Sequence, residues 1–113
     1  MPASIADVTQ WLESQTDKEL VVTKHEDRDL DEVRIRLERI EGRGERSEAL
    51  DDYTNGASLL LIGSGTVVTE GREERLPSDA FEIPLEGLSL TETAEGVALL
   101  VTERARYSIK VLD

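Results

Sequence analysis

The sequence predicts an α+β fold that is predominantly β: an N-terminal helix packed on an antiparallel β meander of about seven strands. Near the N-terminus, apolar residues recur at helical spacing. After residue 18, short segments rich in alternating or β-branched residues are separated by turn residues. Sequential short strands with tight turns form either a small open barrel or a two-layer sheet.

The predicted helix covers about residues 4–15. Ser4 and Asp7 form a weak capping box at its start, because Asp is shorter than the preferred Glu or Gln. Its apolar face consists of four side chains at helical spacing: Ile5, Val8, Trp11 and Leu12.

Segment 31–41 fits two periodicities. A half-buried strand would bury three alternating residues: Val33, Ile35 and Leu37. A helix would instead align four residues on one face: Leu30, Val33, Leu37 and Ile40. We favour the strand because a helix would expose Ile35 among charged neighbours, whereas a strand needs only a β-bulge near Arg39 to return Ile40 to the core.

The remaining β-rich region, residues 19–113, is divided by clear turn signals. The expected sequence of segments is a strand at 19–25, an acid-rich loop at 26–32 and, after the 31–41 strand, a long connection at 42–58. Further along, Glu70-Gly71 and Glu95-Gly96 mark turns. Pro84 cannot donate a ladder hydrogen bond, so its strand lies at an edge of the sheet or bulges there. Together these segments predict a single domain over residues 1–113.

Composition narrows the function. The chain of 113 residues has 25 acidic and 13 basic side chains, a formal net charge of −12, and no cysteine. Such a charge repels phosphate backbones and anionic lipid, which predicts that the protein binds neither nucleic acid nor membrane. The absence of cysteine excludes disulfides and fits a cytoplasmic location. The acid-rich, lysine-poor composition fits salt adaptation, although a GC-rich genome would also favour arginine over lysine.

The acidic segment contains a calcium-like spacing. Asp27, Asp29, Asp31 and Glu38 follow the ligand spacing of a helix–loop–helix calcium site, but Glu32 stands where that loop requires glycine. The flanks also resemble strands. We therefore interpret the segment as a solvated connection and predict no metal site.

Three other features have structural explanations that outweigh chemical ones. His25 lacks a second histidine or any cysteine with which to bind zinc. Gly63-Ser64-Gly65 precedes a strand and not a helix, which favours a kink over a phosphate-binding loop. Asp51-Asp52-Tyr53 fits a loop that tyrosine anchors to the sheet. No cofactor is predicted.

Two apolar runs do not alternate. Residues 59–62 and 97–101 should therefore have both faces covered, and we expect the helix to lie across these strands with Trp11 against both. Any remaining apolar area would form a partner or self-association surface. Its candidate residues are Trp11, Leu60, Leu100 and Tyr53.

The sequence thus favours a small, non-enzymatic intracellular domain that binds another protein or itself. The alternative is a domain that binds a small ligand or, weakly, a divalent cation, through the barrel mouth or the acidic loop 26–32. A carboxylate-based hydrolase or isomerase is the third and least favoured class.

Overall fold

The computed structural model describes residues 5–43 and 58–112. It contains one α-helix, a 3-10 turn at Pro77–Asp79 and eight strands in this described part of the chain. The elements are α1 (Ile5–Glu13), β1 (Glu19–Glu26), β2 (Asp29–Arg43), β3 (Ser58–Thr69), β4 (Arg72–Arg75), β5 (Ala80–Pro84), β6 (Leu90–Ala94), β7 (Val97–Val101) and β8 (Arg106–Leu112). The predicted antiparallel β fold with one short N-terminal helix is confirmed.

All described strands belong to one antiparallel sheet in the order β4-β3-β2-β1-β8-β7-β6. Strand β5 pairs with the first half of β3, on the edge that β4 occupies further along the same strand. The sheet is open and does not close into a barrel. Pro84 ends the β5 ladder, as expected for an edge strand, since proline cannot donate a ladder hydrogen bond.

The segment that fitted two periodicities is part of β2, which confirms the strand. Its alternate residues Val33, Ile35 and Leu37 are buried in the core, while Arg34 and Arg36 are exposed. The register with β3 shifts between Leu37 and Arg39, which is the predicted bulge. Beyond it, Ile40 packs against the core.

The kink predicted at Gly63-Ser64-Gly65 is a close approach of β3 to β2. A Cβ atom on Gly65 would overlap the carbonyl oxygen of Arg34 and come within 2.8 Å of the Cα atom of Ile35. A Cβ atom on Gly63 would overlap the carbonyl oxygen of Arg36. Only glycine allows the two backbones to meet this closely while the long strands bend.

Helix α1 packs on the inner face of the sheet. Ile5, Val8 and Leu12 join one hydrophobic core with residues from β1, β2, β3, β5, β7 and β8. The strands nearest the helix are β6 and β2. Leu59 and Leu61 of β3 and Ala98 and Leu100 of β7 belong to the same core cluster, against which Trp11 also packs, so the prediction that α1 lies across these two strands stays a prediction.

The prediction of an acid-rich loop at 26–32 was wrong. Strand β1 continues to Glu26 and β2 begins at Asp29, so only Asp27 and Arg28 form the turn. Asp27 has a φ of 53°, a left-handed conformation that Asp tolerates better than most residues. The turn at Glu70-Gly71 is confirmed, with φ values of 52° and 79° that suit a tight hairpin.

Two further predictions fall partly outside the described residues. Of the long connection at 42–58, Gly42 lies in β2 and Ser58 in β3, and residues 44–57 lie outside the described part. The capping residue Ser4 also lies outside it, and the described helix covers residues 5–13 instead of 4–15.

Substitution of Gly65 tests the close approach of β2 and β3. We expect Gly65→Ala to lower the free energy of unfolding by about 2–3 kcal/mol, because its methyl group overlaps the neighbouring backbone. Gly42→Ala is the matched control in β2, since nothing lies within 4 Å of its added Cβ. Urea denaturation of both variants measures the effect, and equal midpoints would contradict the proposed constraint.

Candidate interaction surface

Strand β7 presents apolar side chains on both faces of the sheet. Ala98 and Leu100 point inward and are buried in the core, whereas Val97, Leu99 and Val101 alternate with them and are half-buried. Because α1 packs on the inner face, it does not cover these three side chains. The prediction that the helix covers the second face of this strand was therefore wrong.

Neighbouring strands extend this outward apolar surface. Val97 pairs with Lys110 of β8, which in turn pairs with Val21 of β1. Val21 is half-buried, and Leu112 near the end of β8 is 40% exposed. We call the combined surface the outer patch; its residues are Val21, Val97, Leu99, Val101 and Leu112.

The charges around the outer patch differ from those of the whole chain. In the ladder rows that cross β1 on the outer face, the basic residues are Arg34, Arg36, Arg75, Arg106 and Lys110. The acidic residues in the same rows are Glu19, Glu32, Glu73 and Glu92. Five basic and four acidic side chains nearly balance here, whereas the chain as a whole has 13 and 25.

The structure does not bring together the surface residues predicted from the sequence. Leu100 is fully buried in the core and Leu60 is 7% exposed, so neither offers a surface for a partner. Trp11 is half-buried and packs against the core. Tyr53 lies outside the described residues, as do Asp51 and Asp52.

Sequence reasoning missed Val97, Leu99 and Val101. The run at 97–101 correctly indicated that both faces of the strand are apolar. It carries no alternation, however, so it could not show which residues point inward. Leu100 pairs with Tyr107, and both side chains lie in the core.

The calcium-like residues lie along a hairpin. Asp29 and Asp31 belong to β2, and Asp27 is in the turn that precedes it. Within residues 5–43 and 58–112, no group of three or more histidine or acidic side chains is positioned to hold a metal ion. His25 is exposed near the end of β1, where it pairs with Leu30 and Arg106 in the ladders.

A small cavity lies where the end of β5 approaches β1 and β8. Its volume is about 140 Å³, below the roughly 300 Å³ at which ligand pockets begin. Its lining residues are Lys24, Glu26, Pro84, Glu86, Thr102, Arg104 and Tyr107. An ion pair of 3.2 Å between Lys24 Nζ and Glu26 Oε1 stands beside it. A cavity of this volume gives little support to the small-ligand site that the sequence predicted at a barrel mouth.

Tyr107 links this cavity to the core. The residue is 3% exposed, and burial raises the pKa of its phenol above the usual value, opposed by the nearby positive charge of Lys24. Burial disfavours the charged phenolate, so the folded protein holds the proton to higher pH than the unfolded chain does.

The raised pKa of Tyr107 predicts a loss of stability at alkaline pH. Below the unfolded pKa of about 10, both states keep the proton and Tyr107 adds no pH dependence. Above it, the unfolded chain ionises first, so stability falls with rising pH. The Tyr107→Phe variant should lose this part of the decline, as measured by urea denaturation from about pH 8 to pH 11. Parallel curves for the two proteins would contradict the prediction.

Comparison with known proteins places the chain in a family. Residues 1–113 match the family model described as YmzB-like protein. The uncharacterized protein YmzB of Bacillus subtilis (strain 168) is 36% identical over 111 residues, which cover 92% of each chain. No solved structure matches significantly. In the described part of the chain, no helix is long and apolar enough to cross a membrane. The chain belongs to the YmzB-like family.

Proposed function

We propose that this domain acts without catalysis, by binding a second copy of the same chain through the outer patch. The observation that carries the proposal is the apolar outer face of β7, which no described helix covers and which Val21 and Leu112 extend. The same proposal places the domain in the cytoplasm, which the cysteine-free composition suits.

Burial of the outer patch would supply the driving force. Removing apolar surface from water contributes about 25 cal/mol per Å², and full burial of a leucine or valine contributes about 1.5–3 kcal/mol. Val97, Leu99 and Val101 are only half-buried in the single chain, so part of this gain is still available. An antiparallel sheet with one face in water normally alternates apolar and polar residues, and β7 does not.

Charge favours this face for contact between two copies. Two chains that each carry a net charge of −12 repel each other over most of their surfaces. On the outer face of the rows crossing β1, basic and acidic side chains nearly balance. In a two-fold dimer the patch of one copy contacts the same patch of the other copy. Because basic and acidic side chains nearly balance there, opposite charges can pair across the contact without a net repulsion between like charges.

The edge of the sheet that β4 and β5 form is less suited to association than the outer face. All four residues of β4 are charged and exposed, and β5 carries Pro84 at its end. Charged residues and proline are typical devices that prevent strands of separate molecules from pairing edge to edge. These features favour association through the face of the sheet.

Leu99 offers the sharpest test of the proposed dimer. Analytical ultracentrifugation of the full chain over about 1–100 μM should show a reversible dimer. Leu99→Glu would place a charge in the contact and should weaken dimerisation by roughly thirtyfold, equivalent to about 2 kcal/mol. At a concentration where both proteins are monomeric, the circular dichroism melt of the variant should match that of the wild type, because the substitution removes association and not folding.

The matched control is Leu30→Glu. Leu30 is 54% exposed at the β1–β2 hairpin, outside the outer patch, so this variant should dimerise like the wild type. A wild type that stays monomeric throughout the concentration range would overturn the proposal. Equal weakening by both variants would show that added negative charge, and not the patch, controls association.

A further inference from the structure

A groove of about 560 Å³ lies on the outer face of β2, β3 and β4, on the other side of β1 from most of the outer patch. Its lining residues are Glu19, Arg34, Ile35, Arg36, Ser64, Gly65, Thr66 and Arg75. The ladders place Thr66 directly between Arg34 and Arg75, and Ser64 beside Arg36. Arginines of β2 and β4 therefore flank two hydroxyl-bearing residues of β3.

The kink in β3 explains why the groove is open. Ser64, Gly65 and Thr66 have short side chains, whereas the arginines on the neighbouring strands are long. Strand β4 ends here, as the backbone N–H of Leu76 donates to the carbonyl of Gly65 at 3.0 Å. The floor is consequently low and polar, with cationic side chains on both sides.

The charge of the groove opposes that of the chain. Three arginines and one glutamate line it, a formal local charge of +2, within a chain whose net charge is −12. Interactions in solvent are screened over about 8 Å at physiological ionic strength. Within that distance Glu32 and Asp79 pair with Arg34 and Arg75, so a small anion would compete with these carboxylates for the guanidinium groups. An extended polyanion would in addition meet the rest of the acidic surface.

Each arginine makes a contact that holds it near the groove. Arg36 Nη1 donates to the backbone carbonyl of Asp17 at 2.7 Å. The other two pair with carboxylates: Arg34 Nε with Glu32 Oε2 at 3.3 Å, and Arg75 Nη2 with Asp79 Oδ1 at 3.8 Å. Each of these contacts engages one nitrogen, and a guanidinium carries five N–H donors. The arginines thus retain the capacity to bind an anion.

We propose that this groove binds a small oxyanion that carries two or more negative charges, of the phosphate or carboxylate class. Guanidinium groups bind both classes with paired, charge-assisted hydrogen bonds. The hydroxyl groups of Ser64 and Thr66 add neutral donors on the floor. The groove adjoins the outer patch, because Arg34 pairs with Val21 across the β1–β2 ladder. Anion binding is tested through Arg34→Gln and dimerisation through Leu99→Glu, so the failure of one proposal is distinguishable from the failure of the other.

Anion binding in the groove is tested by titrating the full chain with pyrophosphate and with citrate, at a constant ionic strength set by sodium chloride. Nuclear magnetic resonance should show saturable amide shifts at residues 64–66 with a dissociation constant in the millimolar range or below. Arg34→Gln should weaken binding by at least about fivefold, since one charged hydrogen-bonding partner is lost. Arg106→Gln, an exposed outer-face arginine outside the groove, is the control and should change binding less than about twofold.

The two probes also identify the ligand class. Saturation by pyrophosphate alone supports a phosphate ligand, saturation by citrate alone supports a carboxylate ligand, and saturation by both supports recognition of the shared charge. Absence of saturable shifts with either probe would overturn the proposal. So would shifts that persist unchanged in Arg34→Gln.

Discussion

The pairing of β2 with β3 is the constraint on which the rest of the structure depends. Strand β2 has 15 residues and β3 has 12. Strand β3 pairs with β4 at one end and with β5 at the other, so the ladder between β2 and β3 spans both parts of the sheet. Bending such long strands requires a local interruption of their regular backbone pairing. The bulge between Leu37 and Arg39 and the bare backbone at Gly63 and Gly65 provide it at neighbouring points of one ladder. Without that bend, side chains from β5 could not share a core with those from β7 and β8.

Curvature gives the two faces of the sheet different roles. The inner face and α1 enclose one hydrophobic core, to which the helix contributes Ile5, Val8 and Leu12. Among residues 5–43 and 58–112 no helix lies on the outer face, yet this face bears the half-buried side chains of β7 and the arginines beside the kink. Both proposed contacts, the dimer and the anion groove, follow from this asymmetry. The glycines that bend β3 also leave the low floor of the groove, so one local feature shapes both the core and a surface site.

Local patterns predicted most elements, whereas the arrangement of the elements depended on long-range pairing. Ile35 identified β2 as a strand, because only a strand buries this side chain. The Glu-Gly dipeptides at 70–71 and 95–96 marked turns that the structure contains. The position of α1 over the sheet depends on contacts between residues that are distant in the sequence, which no local pattern encodes. In the same way, the uninterrupted run at 97–101 could not reveal that Leu99 faces outward and Leu100 inward.

Helix α1 forms the second layer of the hydrophobic core that the described residues build, and a pair of aspartate substitutions in that helix tests this packing. Val8 is fully buried and Gln10 is exposed on the same helix. Urea denaturation should show that Val8→Asp loses about 3–5 kcal/mol of unfolding free energy, because a charge enters the core. Gln10→Asp should lose no more than about 0.5 kcal/mol. Equal denaturation midpoints for the two variants would contradict the claim that the sheet depends on this helix.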